Sequence, residues 1–200
     1  MKRPATFAAL VLFTAATHAA SETYVIDAHR TSSRFSYRSL GFDTRTHRFE
    51  RISGTLVVDR AARTGRADVR IDVSSVDTGA ASLNETLLGA DFFDSANHPA
   101  ITFRSTQMTL DGEHPTLSGD LSIKGVTRRV TLALGSFRCA AGETFKADVC
   151  LAQASVTIRR SDFNMRKYAF LVGDEVRLSL ALRAVKETPA LRLARGDPVR

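Results

Sequence analysis

Apolar and polar residues alternate with a period of two through most of the chain. Val69-Arg-Ile71-Asp-Val73 sets apolar positions against charged ones. Leu117-Ser-Gly119-Asp-Leu121-Ser-Ile123, Val130-Thr-Leu132-Ala-Leu134 and Ala154-Ser-Val156-Thr-Ile158-Arg repeat the pattern, and Val176-Arg-Leu178-Ser-Leu180-Ala-Leu182-Arg is its most regular form. Segments of this kind present one apolar and one wet face, as antiparallel strands do. About eight are predicted, joined by short turns such as Lys124-Gly125. Gly119 is the inward position in its strand that carries no bulk. The fold class is therefore all-β and antiparallel. A sandwich and a closed barrel both satisfy the pattern. An eight-stranded barrel has an interior just large enough for packed side chains or one small ligand.

One segment breaks the alternation. Ser82-Leu-Asn-Glu85-Thr-Leu-Leu-Gly89 predicts a short helix, with Ser82 and Glu85 as a capping box and Gly89 as its stop. Leu83, Leu87 and Leu88 lie close to one face of it. Such a helix either plugs a barrel end or forms a lid over a ligand mouth, and in a small barrel the two roles merge.

The two ends read differently from the middle. Lys2-Arg3, an apolar run from Ala5 to Ala16 and the small residues Thr17-His18-Ala19-Ala20 describe a secretory signal peptide over residues 1–19. The run is too short to span a bilayer. Residues 20–185 form one β-domain. From Lys186 the alternation stops, and Pro189, Gly196 and Pro198 among scattered arginines read as a disordered tail over 186–200.

Charge and cysteine content narrow the function classes. The formal charge is +7, but setting aside Lys2, Arg3 and everything from Lys186 leaves 22 basic and 19 acidic residues, a net of +3. The charges interleave along strands, as in Arg66-Ala-Asp68-Val-Arg70-Ile-Asp72. That describes a solvated strand face and argues against a nucleic-acid partner. Cys139 and Cys150 flank a predicted hairpin with Gly142 at its turn. In an exported chain two cysteines point to a disulfide, the alternative being two free buried thiols. No histidine stands near either, so no metal site is expected there.

Catalytic chemistry is not visible. His29, His47, His98 and His114 are far apart in sequence, without metal-ligand spacing. His29, after Asp27, is read as a structural hydrogen-bonding residue. No Gly-x-Ser-x-Gly elbow and no glycine-rich phosphate loop occur. The positive signal is apolar: twelve phenylalanines and no tryptophan. Phe35, Tyr37, Leu40 and Phe42 cluster before Asp43, and Phe163, Met165, Tyr168, Phe170 and Leu171 before Gly173. A packed core in so small a domain does not easily absorb them all, which points to a hydrophobic cavity. The run ADFFDSANHPAITFRS from Ala90 to Ser105 carries two further phenylalanines, Phe92 and Phe93, in a loop, where they need a pocket or core to enter.

These residues resemble the YceI-like family of periplasmic lipid-binding barrels. Tyr24-Val-Ile-Asp27-Ala-His29 is similar to the family's opening Tyr-x-Ile-Asp-x-x-His-Ser, with the histidine one residue early. Phe35-Ser-Tyr-Arg-Ser-Leu40-Gly41-Phe42 resembles Phe-Ser-Val-x-His-Leu-Gly-Phe, with Ser39 in place of the histidine. Phe49, Gly54-Thr55-Leu56 and VSSVDTG from Val73 to Gly79 follow in order. So do Asp91-Phe92-Phe93-Asp94, Gly119 to Thr127, Arg160-Ser161-Asp162-Phe163-Asn-Met165 and Val172 to Val176. One departure matters: where the family often carries Arg-Asp-x-His-Leu-Arg-Ser, this chain has Leu83 to Gly89, with basic and histidine positions apolar or neutral.

The resemblance implies a lipocalin-like eight-stranded barrel enclosing an isoprenoid or similar long lipid, such as a polyprenyl quinone, in the periplasm. It implies a binding protein rather than an enzyme, with no required cofactor beyond that lipid; it allows transient membrane contact as a further partner and leaves the oligomeric state open. The expected cavity wall comprises Phe35, Tyr37, Leu40, Phe42, Phe49, Leu56, Ile71, Phe92, Phe93, Phe103, Leu121, Phe163 and Met165, with Leu83, Leu87 and Leu88 as the lid. The two other classes are a structural β-domain with a packed core, and an enzyme acting on an isoprenoid. The latter needs a polar pair inside the cavity, and the sequence names none.

Overall fold

The alternating segments close into a barrel. The computed structural model describes residues 21–110, 115–141 and 147–194. Its strand segments are β1 (Glu22–Ile26), β2 (Ser32–Ser39), β3 (Asp43–Phe49), β4 (Ile52–Asp59), β5 (Thr64–Asp72), β6 (Val76–Asp77), β7 (Ala100–Thr109), β8 (Thr116–Ile123), β9 (Val126–Ala140), β10 (Val149–Arg159) and β11 (Val172–Lys186). All pair antiparallel in the order β1-β4-β5-β7-β8-β9-β10-β11, and β1 pairs with β11 to close the ring of eight. β2, β3 and β6 prolong β1, β4 and β5 on the far side of three bends. Thus β2 pairs with the first part of β11, β3 with β2, and β6 with β3. Closure removes the sheet edges that would otherwise invite aggregation.

The bends have local causes. After β1, Ala28–Arg30 form a 3₁₀ turn, pinned by Arg183 donating to Asp27 at 2.5 Å. Between β5 and β6 the Asp72 carboxylate accepts from the Ser74 amide and from Arg51 Nε, both at 2.9 Å, and fixes the turn at Val73–Ser75. His29 is exposed on its turn rather than held in a hydrogen bond as expected. The β8–β9 turn places Lys124 (φ 49°) and Gly125 (φ 72°) in the left-handed region, the type I′ geometry that matches strand twist. A Cβ on Gly125 would lie 2.7 Å from the His98 ring.

The outer face carries the interleaved charges. Asp68, Arg104, Asp120 and Arg129 stand opposite one another across β5, β7, β8 and β9, with Arg104–Asp68 and Arg129–Asp120 contacts at 3.3 Å. Inside, one end is filled. Tyr24, Leu56, Val58, Val149, Cys150 and Ala184 are almost fully buried there. Cys139 and Cys150 are direct cross-strand partners on β9 and β10 and form a disulfide. Closing so short a loop contributes about 3 kcal/mol in the chain-entropy picture.

Two expectations are corrected at the ends of elements. The helix α1 spans Ala81–Leu88 with Ala80, not Ser82, at its N-cap, so no Ser82–Glu85 capping box forms. Its start is held instead by Asn84, whose side-chain oxygen accepts from the Thr78 amide (2.9 Å) and hydroxyl (2.7 Å). The stretch from Lys186, expected as a disordered tail, is structured as far as Ala194. β11 runs through Lys186, which bonds Glu22 and Asp148, and Pro189–Ala194 form a short helix, α2. The expected signal peptide of residues 1–19, Gly142 and residues 195–200 lie outside the described residues.

Candidate functional site: an apolar cavity at the open end

The half of the barrel beyond the filled end encloses a cavity of about 210 Å³. Its walls come from inward positions of the alternating strands: Phe35 and Tyr37 on β2, Phe49 on β3, Val69 and Ile71 on β5, and Ile101 and Phe103 on β7. Leu121, Val130, Leu132, Ala154, Val156, Ile158, Val176 and Leu178 complete the wall. The roof is α1, through Leu83, Thr86 and Leu87, together with Phe92, Phe93, Met165 and Tyr168. Phe93 stands edge-on to Phe35 (ring centroids 6.0 Å) and Phe49 (5.5 Å), and Phe92 meets Tyr168 at 6.2 Å. The Phe92-Phe93 pair thus links helix to wall. The Phe93 amide donates to the Leu87 carbonyl at 3.0 Å, which folds the turn back under α1.

Five expected wall or lid residues lie elsewhere. Leu56 faces inward but belongs to the filled end, beyond the cavity floor. Leu88 sits about 100° around the helix from Leu87, so the face toward the cavity is Leu83, Thr86 and Leu87. Phe163 is almost fully buried in the 3₁₀ turn Arg160–Phe163, packed into the core cluster and not on the cavity wall. Leu40 and Phe42 are on the β2–β3 turn, exposed to solvent.

Two polar features were missed. Arg160 lines the cavity and is buried, and its guanidinium donates to the carbonyls of Met165 (2.5 Å), Lys167 (2.9 Å), Val172 (2.9 Å) and Gly173 (3.1 Å). It organises the whole 164–173 loop that roofs the barrel. Burial lowers its pKa, partly opposed by Asp174. The second feature is a polar pair: Tyr37 Oη and His47 Nε2 are 3.2 Å apart, with His47 buried behind Tyr37. Burial, and secondarily Arg45, lowers the His47 pKa, while burial raises that of Tyr37, so both are neutral near pH 7. The signal for both was phase. Arg160 continues the inward series Ala154, Val156, Ile158, and His47 shares its phase with Phe49.

This barrel, with its buried Phe-Phe turn and apolar interior, agrees with comparison to known proteins. The family model described as a YceI-like domain matches residues 24–184. The chain belongs to the YceI-like family. Protein YceI of Escherichia coli O157:H7 is 29% identical over 185 residues, spanning 91% of this chain and 95% of the relative. A UPF0312 protein of Pectobacterium carotovorum subsp. carotovorum is 30% identical over 157 residues, or 76% of this chain and 80% of that protein. Among solved structures, Burkholderia cenocepacia BcnA superposes with a TM-score of 0.69 at 26% identity, covering 79% of this chain and 98% of BcnA. A polyisoprenoid binding domain from Saccharophagus degradans shares the fold, with a TM-score of 0.60 at 20% identity over 82% of this chain and 98% of that domain. Within the YceI-like frame, this member's α1 offers Leu83, Thr86 and Leu87 to the cavity.

Proposed function

We propose that this YceI-like protein is a periplasmic carrier that holds a long apolar lipid, an isoprenoid such as a polyprenyl quinone, inside the barrel. The observation that carries the reading is the cavity itself, lined almost wholly by aliphatic and aromatic side chains. Such a space has no use for a charged metabolite, and burying an isoprenoid tail is favourable by about 25 cal/mol per Å² of apolar surface. The polyisoprenoid-binding description of the Saccharophagus degradans domain supports the same ligand class. The neutral Tyr37–His47 pair favours a neutral, hydrogen-bonding head such as a quinone carbonyl, since the cavity's buried cation, Arg160, is committed to backbone carbonyls. Export is supported by the signal-peptide pattern of residues 1–19 and by the cross-strand disulfide. At about 210 Å³ the space is below the roughly 300–1,000 Å³ of common ligand pockets, so a long chain requires α1 or the 164–173 loop to give way.

The test is to purify the protein from its native compartment without detergent, extract it with organic solvent and identify the extract by mass spectrometry. A co-purifying isoprenoid is expected. Repeated recovery of lipid-free protein that also fails to take up added ubiquinone would leave a structural β-domain as the better reading.

A further inference from the structure

Seven large hydrophobic residues are exposed among the described residues, and five of them crowd the open end of the barrel. Leu40 and Phe42 are on the β2–β3 turn, and Tyr168, Phe170 and Leu171 on the loop before β11. Phe42 is 81% and Phe170 86% exposed. The two loops are joined, because the Leu40 amide donates to the Leu171 carbonyl at 2.7 Å. Leu40 (φ 53°) and Tyr168 (φ 56°) also hold left-handed backbone conformations that side-chain-bearing residues rarely adopt. Solvent exposure and backbone cost are both unfavourable, and they coincide at one place; such coincidence marks a surface built for contact.

We propose that this rim docks the barrel mouth onto an anionic lipid bilayer. Charge and continuity select that partner. Arg38, Arg45, Arg166 and Lys167 are exposed in or beside the two loops, and Asp43 and Asp91 pair with Arg45 and Lys167, so Arg38 and Arg166 remain to meet an anionic surface, while Asp174 at the loop's end is held by Ser161. Residues 166–170, Arg-Lys-Tyr-Ala-Phe, are exposed without interruption, the basic and aromatic mixture that suits a membrane interface. The patch also continues into the cavity, since Tyr168 belongs to both. A mouth pressed into a bilayer would let a lipid pass between membrane and barrel without crossing water. The inference rests on the carrier reading and adds the partner surface to it.

Vesicle co-sedimentation tests it, using the purified protein with phosphatidylglycerol–phosphatidylethanolamine vesicles and with phosphatidylcholine vesicles. The protein is expected to partition onto the anionic vesicles. Phe42→Ser/Phe170→Ser is expected to lower the partition coefficient about tenfold or more. Arg38→Gln/Arg166→Gln is expected to lower it about fivefold per charge on anionic vesicles only, and salt to weaken binding in the same way. Both variants alter exposed side chains, and unchanged thermal unfolding establishes that they fold. The proposal is overturned if lipid-loaded protein binds neither vesicle, if the phenylalanine variant binds as well as the parent, or if the parent forms a dimer that this variant abolishes. Lipid content is read separately by extraction, so protein that carries lipid yet ignores vesicles refutes docking alone, and protein that neither carries lipid nor takes up added ubiquinone refutes the carrier.

Discussion

Arg160, in the 3₁₀ turn that continues the inward series of β10, and His47, inward beside Phe49 on β3, have opposite solutions to burial. Arg160 keeps its charge and gives its N–H groups to four carbonyls of the 164–173 loop. Arg160→Gln leaves most of those carbonyls without a donor. A loss of about 3 kcal/mol in urea unfolding is expected, with faster tryptic cleavage after Arg166 and Lys167. An unchanged cleavage rate would mean the loop is held by something else. His47 instead stays neutral. Its pKa lies below the ordinary 6.5 because burial disfavours the imidazolium. As pH falls, the unfolded chain therefore takes up the proton before the folded chain does. Stability associated with His47 is complete above about pH 6.5 and declines as pH drops from there toward the folded pKa. In His47→Gln, which keeps a polar partner for Tyr37, thermal unfolding should fall less steeply between pH 7 and 5 than in the parent. Parallel profiles would refute the assignment.

At the scale of elements, period-two alternation was a sufficient guide to strands, because each strand has one wet and one dry face and a one-residue error inverts it. Hence Phe35, Phe49, Ile71, Phe103 and Leu121 fall on the inward side as their phase requires. Phase does not say how far along the barrel a residue stands, which is why Leu56 went to the filled end. Nor does it apply in turns, which is why Leu40 and Phe42 were misplaced. The cap of α1 was obscured because its polar contact comes from Asn84 reaching back to Thr78, outside the capping-box spacing. Gly119 was visible as an inward gap, and its cause is a close approach. At the register shift of β7 between Ser105 and Gln107, a Cβ on Gly119 would lie 2.3 Å from the Arg104 carbonyl oxygen and 2.7 Å from the Phe103 ring. Backbone cannot yield as a flexible side chain can. Gly119→Ala should lower stability by about 1–3 kcal/mol in denaturant unfolding, and a neutral result would show that the bulge is plastic.

At the scale of the molecule, the barrel is asymmetric: one end is packed with Tyr24, Leu56, Val149 and the disulfide, and the other is hollow under α1. That asymmetry separates a carrier from a domain that merely packs imperfectly, and Ala154 distinguishes them. It lies on the cavity wall, its β10 neighbour positions 156 and 158 are also lining, and its small side chain leaves part of the space open. Ala154→Leu places three more carbons in that space. If the hollow is only a packing defect, filling it stabilises the fold by about 1–2 kcal/mol, since buried methylenes are favourable where room exists, and no other property changes. If the hollow is the lipid site, the same substitution leaves the barrel folded and as stable or more so, yet reduces the lipid recovered per molecule of protein. Thermal unfolding and quantitative lipid extraction on the same preparation give both readings at once. A stabilised variant with the parent's full lipid content would place the ligand elsewhere, and a stabilised variant that has lost lipid would identify the cavity as the binding site independently of which lipid fills it.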